Sequence, residues 1–95
     1  MKSVAHIATT KPQRYAHQLV DHMGHKIETS WDGTTGLLNF PERGVVTLTL
    51  GDNELIASAE GPAEAMDKLE DVVARHLVRF GQRDELTCEW VRESE

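Results

Sequence analysis

Between the turns Pro41-Glu42-Arg43-Gly44 and Gly51-Asp52-Asn53, the chain alternates Val46, Leu48 and Leu50 with Val45, Thr47 and Thr49. Successive strand side chains point to opposite faces, so a period of two suits a strand and cannot serve a helix. Turn chemistry on both sides extends the pattern. Residues 27–31 place Ile27, Thr29 and Trp31 on one side of a short strand, and Asp32-Gly33 with Gly36 return the chain into residues 37–40. Gly51-Asp52-Asn53 reverses it again into a strand over 54–60. Four consecutive strands joined this closely form an antiparallel meander.

Either side of the meander the period changes. Residues 2–9 alternate loosely as a strand, ending at Thr9-Thr10, where a hydroxyl can cap the helix opened by Lys11-Pro12. That helix runs to about Lys26, with Tyr15, Leu19, His22, Met23 and Lys26 on one stripe. Gly61-Pro62 starts a second helix, which runs to about Phe80 and stops near Gly81 in a left-handed cap. Its stripe reads Met66, Leu69, Val73, His76 and Phe80, with Val72 and Leu77 at the edges. A last strand over 86–91 points Leu86, Cys88 and Trp90 one way.

The order β-α-β-β-β-β-α-β predicts an α+β fold, a mostly antiparallel sheet of five to six strands with two helices on one face. A length of 95 residues fits one domain, 1–95, and 39% apolar with 27% charged residues is a globular composition. The other sheet face would carry Val45, Thr47, Thr49, Leu37 or Leu38, Ile56, Thr87 and Val91. This is apolar for a solvated surface and points to a homodimer contact.

A net charge of −6 argues against a nucleic-acid binder, which needs Lys and Arg to neutralise phosphates, and against an anionic membrane surface. The first ten residues have no apolar run behind Lys2, and no stretch is long enough to span a bilayer. Cys88 alone forms neither an internal disulfide nor a thiolate zinc site, so the cytoplasm is the expected location.

Five histidines are the most unusual feature of the composition. His17, Asp21 and His25 follow one another at i, i+4 and i+8, a spacing that can chelate a divalent metal from one helix flank or form a plain solvated row. His22 and His76 differ, because each falls in its helix's apolar stripe, where an imidazole needs a polar partner. Either each is satisfied internally, or together they mark a polar pocket for a metal or anion, with His25 and Lys26 at the helix end. Arg75, Arg79 and Arg83 recur every four residues beside His76, as dipole-compensating cations or as an anion site. Cys88 reads as a small core residue, DGTTG as a hairpin turn, and Asp52 with Glu54 as turn acids. No flavin, nucleotide or nucleophile motif is present.

RYAHQLVDHMGHK in the first helix, RHLVRFGQRDELTCEW from the second helix into the last strand, and the meander between resemble the bacterial family designated domain of unknown function 2218. The matching positions are Arg14 and Tyr15; His22, His25 and Lys26; His76, Leu77, Arg79 and Phe80; and Trp90. Some members of that family are fused to siderophore-interacting flavoproteins, so the resemblance implies an accessory role near iron handling.

Three readings follow. The first is a non-catalytic binding or accessory module that holds a small anionic or metal-chelate ligand with His22, His25, Lys26, His76 and Arg79. The second is a structural or protein-interaction domain dimerising through its open sheet face. The third is a small enzyme with a histidine general base, weakened because no second activated group stands beside either histidine.

Overall fold

A computed structural model describes residues 1–93. The strands are β1 (Lys2–Ala8), β2 (Glu28–Trp31), β3 (Thr35–Phe40), β4 (Gly44–Gly51), β5 (Glu54–Glu60) and β6 (Trp90–Glu93). The helices are α1 (Pro12–Met23) and α2 (Met66–Phe80), with single 3₁₀ turns at Ala63–Ala65 and Gln82–Asp84. All neighbours pair antiparallel in the order β2-β3-β4-β5-β1-β6, so the two terminal strands extend the meander on its β5 side, with β2 and β6 at the edges.

Register places one row of side chains under the helices. Ala5 pairs with Ala57, Ala57 with Leu48, and Leu48 with Gly36, all of them buried. Leu38, Val46, Leu55, Ala59 and Ile7 join them in the core, facing Tyr15, Leu19 and Met23 of α1 and Leu69, Val73 and Leu77 of α2. Period two therefore produced the expected two-layer arrangement, with both helices on one face. Between the two candidates for the open face the structure selects Leu37, which is 39% exposed, whereas Leu38 is fully buried.

The ends of the elements differ from expectation. Thr9 does not cap α1; the N-cap is Lys11, whose N–H donates to Thr9 Oγ1 at 3.0 Å, closing a small turn before the helix. α1 stops at Met23 rather than Lys26, because the N–H groups of Lys26 and Ile27 both return to the Met23 carbonyl. Gly81 is not left-handed, with φ −103° and ψ 29°; the left-handed residue is Glu85, at φ 52°. Glycine stands at 81 for space, since Leu86 folds directly against it and sends its N–H to the Gly81 carbonyl at 3.3 Å. That anchorage holds residues 86–89 off the sheet, so the final strand starts at Trp90 instead of residue 86.

Candidate functional site

The two helices meet along a seam above the sheet, and the side chains with chemistry collect there. In α2 the core stripe is Met66, Leu69, Val73 and Leu77, so Val72, His76 and Phe80, at i, i+4 and i+8, form the flank turned to α1. In α1 the core takes Leu19 and Met23, which leaves His22 on the matching flank. Neither histidine lies at the buried centre of its stripe: His22 is exposed and His76 half-buried. Each precedes a bulkier or more central apolar neighbour, Met23 or Leu77, that fills the position above the sheet.

The two imidazoles face each other across the seam, with ring centres 4.9 Å apart and planes tilted by 50°. Phe80 lies edge-on to His22 at 5.7 Å and 6.1 Å from His76. His76 Nδ1 lies 2.6 Å from the Val72 carbonyl oxygen, which can only accept, so Nδ1 carries the proton that is donated. In the neutral ring, Nε2 then holds the free lone pair.

Beside Phe80 a hollow of about 400 Å³ opens between the start of α1 and the end of α2, lined by Lys11, Arg14, Gln18, Arg79, Gln82 and Arg83 with Tyr15 at its base. Arg14, Arg79 and Arg83 are exposed and form no ion pair among the described residues. Arg75 behaves differently: its guanidinium reaches Asp71 one turn back, at 3.6 Å. The expected arginine row is therefore split, one member spent on helix pairing and two turned to the hollow. Lys11, Arg14, Gln18 and Gln82 were not singled out in the sequence reading of a site. The i, i+3, i+7 spacing of Lys11, Arg14 and Gln18 puts them on one helix face and could have shown the first three.

The remaining candidates lie elsewhere. His25 lines a second hollow, of about 340 Å³, with His17, Asp21, Thr29, Ser30 and Trp31, and exposed Lys26 lines neither. His17 is stacked on Trp31, 5.6 Å between ring centres and 19° between planes. Among the described residues no three His, Cys, Asp or Glu side chains converge as a metal cluster, so His17, Asp21 and His25 share a flank without forming a three-ligand site.

Other chemistry is engaged structurally. Burial, with the Glu70 carboxylate adding to it, pushes the Cys88 thiol up to about 11, which removes the thiolate a nucleophile needs near neutral pH. Asp32 Oδ1 accepts from the N–H groups of Thr34 (2.9 Å) and Thr35 (2.7 Å), and these bonds hold the carboxyl below its usual range. The DGTTG turn thus directs these N–H groups at its own aspartate, not at a phosphate. Glu54 meets His6 Nδ1 at 2.7 Å across β5 and β1.

Two helices over one face of a six-stranded antiparallel sheet, with a cationic hollow and an imidazole pair along their seam, define a small α+β sandwich domain. The chain belongs to the domain of unknown function 2218 family, described as uncharacterized proteins conserved in bacteria, whose model matches residues 4–91. A solved structure with the same fold is the NMR structure of PA4090 from Pseudomonas aeruginosa, 25% identical, with a TM-score of 0.81 over 99% of this chain and 98% of that one. A comparison with curated proteins finds no match.

Proposed function

We propose that this domain is a non-catalytic binding module that takes a small anion in the hollow between the start of α1 and the end of α2. The observation that carries this reading is the convergence of Arg14, Arg79 and Arg83, without ion pairs among the described residues, on one hollow of a chain whose net charge is −6. Guanidinium forks suit carboxylate or phosphate oxygens, and the carboxamides of Gln18 and Gln82 add neutral donors. Family fusions to siderophore-interacting flavoproteins make an anionic ferric chelate a ligand to test beside inorganic phosphate. We place this activity in the cytoplasm.

Titrating labelled protein with phosphate, and separately with a ferric siderophore, should shift the amide signals of residues 11–18 and 79–83 together. Arg79→Ala and Arg83→Ala should each weaken binding about tenfold or more, because a hydrogen bond to a charged group contributes about 1.5–3 kcal/mol. Shifts scattered over the surface, or affinities unchanged in both variants, would sink the reading.

A second reading is supported by the open sheet face, where Leu37 is 39% and Val91 68% exposed. In it, two copies of the domain associate through those side chains.

A further inference from the structure

We propose that His22 and His76 form a two-imidazole site for a divalent transition-metal ion, bridging α1 and α2. The site goes beyond the anion hollow and does not depend on it.

Three features of the pair support it. The first is tautomer: the Val72 carbonyl accepts from His76 Nδ1 at 2.6 Å, leaving Nε2 as the lone-pair nitrogen. A metal-bound histidine characteristically has its other ring nitrogen anchored in this way, which fixes ring orientation and raises basicity. The second is spacing. Metal–nitrogen bonds of about 2.0–2.1 Å put each ring centre roughly 3.2 Å from the ion, so tetrahedral geometry separates the two centres by about 5.2 Å. The observed 4.9 Å lies close to that value, and the 50° tilt is far from the parallel arrangement of a simple stack. The third is freedom of approach. His22 is exposed, so its ring can turn its lone pair to the ion while His76 stays fixed. Phe80, edge-on to His22, shields one side of the pair.

Zinc, nickel and copper(II) are the ions that imidazole nitrogen suits best. Two protein ligands leave the remaining positions to water.

The test uses the full chain and zinc chloride without any anionic ligand. Isothermal titration should give one-to-one binding reversed by a chelator, with imidazole signals of His22 and His76 moving and those of His17 and His25 still. His22→Ala changes an exposed side chain and should weaken zinc binding by at least about tenfold. His76→Asn keeps a donor near the Nδ1 position for Val72 but lacks Nε2, so it should fold and show the same loss. His25→Ala should bind like the parent. Unaltered zinc affinity in a folded His22→Ala or His76→Asn protein, or the absence of saturable one-to-one binding, would overturn the site. Either outcome leaves the phosphate titration of the arginine hollow independent.

Discussion

A Cβ built on Gly81 would lie 2.3 Å from both Cγ and Cδ1 of Leu86, a core side chain only 5% exposed. The backbone there has a negative φ of −103°, which alanine accepts, so substitution tests packing alone. Gly81→Ala is expected to cost about 1–3 kcal/mol, the usual cost of overpacking. Gly51→Ala is the milder comparison: its Cβ would meet Glu54 Cγ at 2.6 Å, and that side chain can swing away at the loss of its exposed pair with His6, so the change should stay within about 1 kcal/mol. Equal urea midpoints for the two variants would show that Leu86 does not depend on the missing side chain. Position 81 also shows what was legible in the sequence. A glycine that ends the helix was plain, but its reason was a contact with a residue five positions on. The same holds for His22 and His76. Helical spacing puts residues 76 and 77 equally well beside Val73, so sequence could place a histidine in the stripe but could not tell the sheet side from the flank facing the other helix.

At the level of elements, β6 is a four-residue edge strand whose Arg92 side chain ties it to α2. Arg92 donates from Nε to Glu70 at 3.0 Å, from a terminal nitrogen to the other Glu70 oxygen at 3.1 Å, and to Asp67 at 2.5 Å. The Arg92 guanidinium holds the Glu70 carboxyl below the ordinary carboxylate range. A carboxyl whose pKa is depressed in the folded state contributes stability above its unfolded value, near 4.5, and loses it as pH falls through the folded value. Glu70→Gln should therefore lower the thermal midpoint at neutral pH and narrow its gap to the parent as pH drops below about 4.5. A constant gap across that range would mean that Glu70 contributes by packing and not by charge. This clamp is invisible in the sequence because Arg92 lies 22 residues beyond Glu70 and 25 beyond Asp67, and the apolar alternation ends the last strand at residue 91, just short of Arg92. Where local chemistry decides, as in the alternating strands and the turns, the elements were readable; their ends, set by contacts between distant segments, were not.

For the whole molecule, the sheet presents two unequal faces, and one residue from each of the neighbouring strands β4 and β3 tests them separately. Leu48, fully buried in β4, lies under the helices, and Leu48→Ala should cost about 2–5 kcal/mol. A domain of this size is typically stable by only about 5–15 kcal/mol, so that loss would bring it near unfolding at physiological temperature. Leu37 on β3 points to the other face with Val4 and Thr47, the latter its direct partner on β4, and Val91 opposite Val4. In a monomer Leu37→Lys would be nearly neutral, since the side chain is already 39% exposed. Association of two copies through this face changes that expectation, because burial then depends on a partner and stability on concentration. The thermal midpoint of the parent should then rise with protein concentration, while Leu37→Lys removes the dependence and leaves the dilute-limit midpoint unchanged. Sedimentation of the parent as a monomer at high concentration, with a midpoint independent of concentration, would end the dimer reading and leave the helix seam as the face on which function rests.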